Sequence, residues 1–228
     1  MDKFLYLLIN LFSVLVPIVF TFHPRLNFHK NFKAFLVGLL IMLPPFILWD
    51  IYFTKIKIWG FNSEYLLGNY FFNLPLEECL FFVCIPYSCV FTYHVVYTLS
   101  KNKKDFQSKR VAFVLSFIFL LIGMFSIDKL YTSITFFSLS VVLLFAPYII
   151  NLKIFLKSFV ILLLPFLIVN GLLTGTLIED QVVWYDNSEN LSIRLGTIPV
   201  EDVFYAFLML VLVMLGYQFV LSKKESKT

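Results

Sequence analysis

"LPLEECLFF", residues 74–82, sets two adjacent acids, Glu77 and Glu78, between a proline and a run of large apolar side chains. It recurs as "IPVEDVFYAF", residues 198–207, so that Pro75, Glu77 and Glu78 pair with Pro199, Glu201 and Asp202. The match extends outward. "IWGFNSE" pairs with "VWYDNSE", aligning Trp59, Asn62, Ser63 and Glu64 with Trp184, Asn187, Ser188 and Glu189. Further upstream "PFILWD", ending at Asp50, meets "PFLIVN", ending at Asn170, and "LYLLINLFSVLV" from Leu5 meets "LYTSITFFSLSV" from Leu130. Downstream, Tyr93 meets Tyr217. The offset stays between 120 and 125 residues throughout, the mark of a duplicated unit.

Composition says what the unit is made of. The 228 residues are 60% hydrophobic and include 29 Phe, with a mean hydropathy of +0.88, far above the roughly 45–50% apolar content of soluble domains. Apolar stretches at 4–22, 34–49, 79–100, 111–127, 130–152, 158–178 and 203–222 approach or exceed the roughly 17–25 residues that cross a bilayer as helix. The expectation is an all-α integral membrane protein with seven transmembrane helices. The first run is too long for a secretory signal and no small-residue cleavage site follows it. Residues 1–100 form a first three-helix unit, 101–129 a linking fourth helix, 130–222 a second three-helix unit and 223–228 a tail. One intervening helix makes the two units parallel, related by an axis along the membrane normal.

Charge gives the orientation. Of the 18 Lys and Arg, 13 fall on one side of this topology, among them Lys101, Lys103, Lys104, Lys109 and Arg110, and 5 on the other. The positive-inside rule puts the C-terminus in the cytoplasm and the N-terminus outside, in a multi-pass cell-membrane protein. Of the 14 acids only Asp105 and Glu225 fall on the cytoplasmic side, so both acidic pairs lie toward the outer face at one depth. The basic excess therefore carries no implication of nucleic-acid binding.

The bland reading of Pro75, Glu77 and Glu78 is a helix start, with proline in the first turn and acids at the positive end of the dipole. Three features favour chemistry. Asp50 sits near the outer end of the second span, where an ionisable group is a functional hypothesis by default. Adjacent helix residues point about 100° apart, so one member of each pair is driven inward. A carboxyl desolvated beside another carboxyl can keep its proton at neutral pH and act as a general acid. Aromatic rings near the acids, Trp49, Trp59, Phe81, Phe82, Trp184 and Tyr205, could stabilise a cation in hydrocarbon surroundings. Cys79, Cys84 and Cys89, at intervals of five, point to different faces and read as packing residues; His94, about four and a half turns beyond Glu78, reads as structural. Asn170 in place of Asp50 makes the half-sites chemically unequal.

"WDIYFTKIKIWGFN" with "LPLEECLFFVCIPYSCVFTY" resembles the first lycopene cyclase domain, and "GTIPVEDVFYAFLMLVL" the second, of the integral-membrane carotenoid cyclases found as two small subunits or as a fused pair. The resemblance implies cyclisation of lycopene to β-carotene by way of γ-carotene, an isomerisation without net redox change. It implies that Glu77, Glu78, Glu201 and Asp202 occupy the acidic motif positions, and that Asp50, Trp49, Trp59 and Asn62 belong to the upstream segment. No cofactor or metal is expected, and none of the 8 glycines forms G-x-G-x-x-G. The implied partners are a lipophilic carotenoid, membrane lipid, other carotenoid-pathway enzymes and a second copy of the chain. Which carboxyl is acid and which is base, whether the ring is β or ε, and whether longer carotenoids are taken all stay open. The rivals are a small transporter of three-plus-one-plus-three architecture and a noncatalytic carotenoid-binding subunit. A retinal protein is excluded because the last span has no mid-helix lysine.

Overall fold

The computed structural model describes residues 2–101 and 108–225. Of the charges used to assign sidedness, Lys103, Lys104, Asp105 and Lys227 lie outside the described residues, as do the side chains of Lys224 and Glu225. Seven α-helices occur among the described residues: α1 (Leu5–Phe20), α2 (Phe32–Lys55), α3 (Leu76–Leu99), α4 (Ser108–Phe125), α5 (Leu130–Phe145), α6 (Leu152–Leu173) and α7 (Val200–Glu225). Chains this apolar form helices because hydrocarbon offers backbone amides no partner outside their own segment. Prolines inside α1, α2, α3 and α6 are tolerated in such helices, where neighbours re-satisfy the freed carbonyls.

Among the described residues, five helical segments are long and apolar enough to cross a membrane: Phe28–Lys55, Leu76–Leu99, Leu130–Tyr148, Leu152–Leu173 and Val200–Lys223. The sequence reading expected seven. One run shortens for a local reason: the run at 4–22 yields a helix of 16 residues, because Asp2–Phe4 form a 3₁₀ turn and the chain turns at Thr21. The run at 111–127 lies on α4, which has 18 residues, opens with Lys109 and Arg110 and starts at the edge of the described residues.

The chain is mostly helical rather than wholly so, since each long loop carries short strands. The loop before α3 holds β1 (Trp59–Phe61), β2 (Tyr70–Phe71) and β3 (Leu74–Pro75); the loop before α7 holds β4 (Val183–Tyr185), β5 (Arg194–Leu195) and β6 (Ile198–Pro199). β2 and β3 form a two-residue hairpin through Phe72–Asn73, and β5 and β6 form another through Gly196–Thr197. Phe72 and Gly196 take the positive φ such turns require. β1 and β4 pair with each other, antiparallel, Gly60 opposite Trp184, which joins the two loops.

Helix packing crosses between the halves. α7 lies between α5 and α2, while α3 lies between α1 and α6, and α4 covers α5. The most extensive contact is α2 on α7. It closes on two glycines: a Cβ on Gly38 would stand 2.2 Å from the Val213 carbonyl oxygen, and one on Gly216 would stand 2.6 Å from the Gly38 Cα. Small residues permit such close backbone approach between helices in lipid. The residues aligned with them in the duplicated sequence are Ser158 on α6 and Thr92 on α3, so nothing equivalent draws α6 onto α3.

Candidate active site

Where the loop-proximal ends of the helices meet the joined loops there is a cavity of about 70 Å³, several times the roughly 10–15 Å³ that one water needs. Asp50 near the end of α2, Glu78 in the first turn of α3 and Asp202 in the first turn of α7 all line it. Each is buried. Asp50 lies within electrostatic reach of Glu78, and Glu78 of Asp202. Both halves thus contribute carboxyls to one chamber.

Each carboxyl is held by a different set of donors. Tyr6 of α1 donates its hydroxyl to Glu78 Oε2. At the matched position Tyr131 of α5 donates to Asp202 Oδ1 at 2.7 Å. Asp202 Oδ2 accepts from Asn170 Nδ2 at 2.7 Å and from the Tyr185 hydroxyl at 2.9 Å, so both its oxygens are engaged. Desolvation and the neighbouring Asp202 carboxylate push the Tyr185 hydroxyl well above the usual tyrosine range, which keeps it protonated as a donor. Asp50 Oδ1 accepts from Trp59 Nε1 at 2.5 Å. Asp50 Oδ2 is buried with no hydrogen-bond partner among the described residues.

Aromatic and aliphatic groups complete the walls: Phe61 and Trp59 from β1, Phe81 from α3, Phe166 from α6 and Tyr205 from α7. Trp59 packs between Phe53 and Tyr131, with ring centroids at 4.8 and 5.1 Å. The β1–β4 pair contributes Trp59, Phe61, Val183 and Tyr185 to the lining, so both loops help to bury the carboxyls.

The other members of the acidic pairs point elsewhere. Glu77 Oε1 accepts from the Leu67 amide at 2.6 Å, and Glu201 Oε1 from the Leu191 amide at 2.7 Å. Glu201 also accepts from Thr132 Oγ1 at 2.7 Å. Both pin a loop to the start of its helix, and neither lines the cavity. Trp49 and Phe82 lie one layer behind: Trp49 packs on Tyr205 at 5.2 Å, and Phe46 bridges Tyr205 and Phe82 at 4.8 and 6.0 Å. Asn62 caps the turn at Ser63–Tyr65 by accepting from the Glu64 amide at 3.0 Å. His94 ties α3 to the connection between α1 and α2, its Nε2 lying 2.8 Å from the Leu26 carbonyl oxygen, far from the chamber.

Trp184 sits outside the cavity, 39% exposed. The sequence match makes it the repeat counterpart of Trp59; in the strand pair Trp59 lies opposite Tyr185, and Trp184 lies opposite Gly60. A shift of one residue along a strand turns the side chain to the other face, so Tyr185 points into the chamber and Trp184 covers Gly60 from outside, where a Cβ would meet its ring at 2.3 Å. Tyr6, Tyr131 and Tyr185 are site residues that reading the sequence did not single out. The first two carried a signal, since the "LY" at Leu5 and Leu130 recurs; the third sits beside Trp184, and only the alternation of faces along β4 tells the two apart.

The profile of the family described as "Lycopene cyclase" matches residues 3–96 and 128–220. Among curated proteins, a "Bifunctional lycopene cyclase/phytoene synthase" of Arthroderma gypseum is 31% identical over 72 residues, covering 32% of this chain and 11% of the relative. A protein of the same description from Leptosphaeria maculans is 32% identical over 106 residues, covering 45% of this chain and 17% of the relative. The matched region thus spans less than a fifth of either relative's length. No solved structure matches.

Proposed function

The chain belongs to the lycopene cyclase family, and from that premise we propose that it cyclises the end groups of lycopene, giving β-carotene by way of γ-carotene, through acid-initiated carbocation chemistry. The observation that carries the reading is the convergence of Asp50, Glu78 and Asp202 in one aromatic chamber. An isolated alkene is a weak base, so its protonation needs a carboxylic acid kept out of water; the resulting cation needs aromatic faces and no competing nucleophile.

In the proposed sequence a protonated carboxyl donates to C2 of the terminal double bond, leaving a tertiary cation at C1. The C5=C6 bond attacks C1, the ring closes, and the cation moves to C5. A carboxylate then takes the proton from C6, restoring a C5=C6 double bond. One proton enters and one leaves, so no redox partner is required. Asp50, with its unpartnered Oδ2, and Glu78 form the proton-donating side. Asp202, with both oxygens already accepting, is the fixed acceptor. Glu77 and Glu201 support the loops instead of entering the chemistry.

The same reading takes the chain as a multi-pass membrane protein of seven spans, with residues 1–100 and 130–222 as parallel repeats about the linking helix of 101–129. The division of 13 basic residues against 5 argues for the loops and their chamber at the outer face and residues 223–228 in the cytoplasm.

Expression in cells that accumulate lycopene, with chromatography of the pigments, tests this directly. The wild type forms cyclic carotenoids, and Glu78→Gln lowers the yield about 100-fold or more, the scale of losing a general acid. Full activity of Glu78→Gln at equal membrane abundance would remove Glu78 from the chemistry.

A further inference from the structure

A second, smaller cavity lies between α3, α6 and α7, three of the helices that line the first. Ile85 of α3, Phe166 of α6 and Ala206 of α7 line the acid chamber; Cys89, Leu162 and Leu210 line the second cavity. On each helix the step is four residues away from the loops. Such positions share a helix face and stand about 6 Å apart along its axis. The two cavities are therefore stacked along a single seam.

The seam offers a ligand nothing polar. Val90, Phe155, Phe159 and Met214 make up most of the lower wall. The Ser158 hydroxyl donates to the Ile154 carbonyl oxygen at 2.8 Å, and the Tyr93 hydroxyl accepts from Gln218 at 3.1 Å. The seam runs along the side of α3 where α6 packs, and Ser158, the residue aligned in sequence with Gly38 of the α2–α7 contact, lines it. An apolar space of about 10 Å³ walled by Met and Leu is a slot that can widen through flexible side chains.

We infer that the seam between α3 and α6, leading from the acid chamber at Ile85 and Phe166 to Cys89 and Leu162, holds the polyene chain of the carotenoid while one of its ends occupies the chamber. The inference rests on the cyclase reading for its ligand. A long apolar substrate with its end among three carboxyls must lay the remainder along something, and this seam is apolar and starts about one helical turn from the chamber.

Cys89 supplies a readout separate from turnover. With Cys79→Ala and Cys84→Ala it becomes the sole thiol, since the chain has 3 Cys. Lycopene is expected to slow its alkylation by a lipid-soluble maleimide about tenfold, as burial under a ligand removes access. In cells, Leu162→Trp is expected to lower the cyclic product about tenfold or more through obstruction of the bound chain, while Val160→Trp, on the lipid-facing side of α6 at 66% exposure, stays within about twofold. Equal alkylation of Cys89 with and without lycopene overturns the seam, even if the wild type cyclises lycopene and the cyclase reading stands. If the wild type forms no cyclic carotenoid, that reading fails, and protection of Cys89 still decides whether the seam takes a polyene.

Discussion

Asn170 is the residue at which the two halves part company. Its amide donates to Asp202 at 2.7 Å, whereas the aligned Asp50 accepts from Trp59. Asn170→Asp would set an oxygen against an oxygen, and one of the two acids would have to carry a proton to keep the contact. We expect this variant to remain in the membrane and to lose about tenfold or more in cyclisation, as Asp202 loses the amide donor that favours its ionised form; pigment chromatography at matched abundance measures it. Acidic residues in a greasy chain were legible as a site from the sequence, and so was the inequality of Asp50 and Asn170. What could not be read was the division of labour within each pair. Glu77 and Glu78 are neighbours in sequence, yet one is aimed at a loop amide and the other at a tyrosine, and only the positions of Leu67 and Tyr6 in space decide that.

At the scale of elements, the loops do more than connect. Glu77 and Glu201 each fix a loop backbone to the first turn of the following helix, and the loops in turn carry Trp59 and Tyr185 into the chamber. Glu77→Ala leaves the Leu67 amide without its acceptor, at a cost of about 1–3 kcal/mol; thermal unfolding of the purified protein should shift downward accordingly, with activity per folded molecule changed far less than for Glu78→Gln. Helix positions were readable because long apolar runs have few alternatives in lipid. The strands were not, because β1 and β4 are three residues each and find their partners across about 120 residues of chain. Nearness in sequence to the acids made Trp184 a candidate, whereas alternation along β4 brings its neighbour Tyr185 to the chamber.

For the whole molecule, the contact of α2 with α7 at Gly38 and Gly216 holds the halves together on one side. Gly38→Ala would press a methyl into the Val213 carbonyl, and since a backbone atom cannot swing aside, the helices must separate. We expect a loss of about 1–3 kcal/mol, visible as a lower midpoint in thermal or denaturant unfolding in detergent. The duplication made it foreseeable that elements from both halves would face a common space. The unequal closeness of the two helix seams was not foreseeable, because it depends on which small residues happen to meet.

Both halves build one chamber rather than one each. On the proposed reading, a symmetrical polyene with two ends to process would therefore have to back out, reverse and re-enter before a second closure. The half-finished, one-ringed compound would then be a free species that lipid dilution or a competing enzyme can intercept. In a time course it should rise before the two-ringed product and fall as that product accumulates, and scarce enzyme should leave more of it behind.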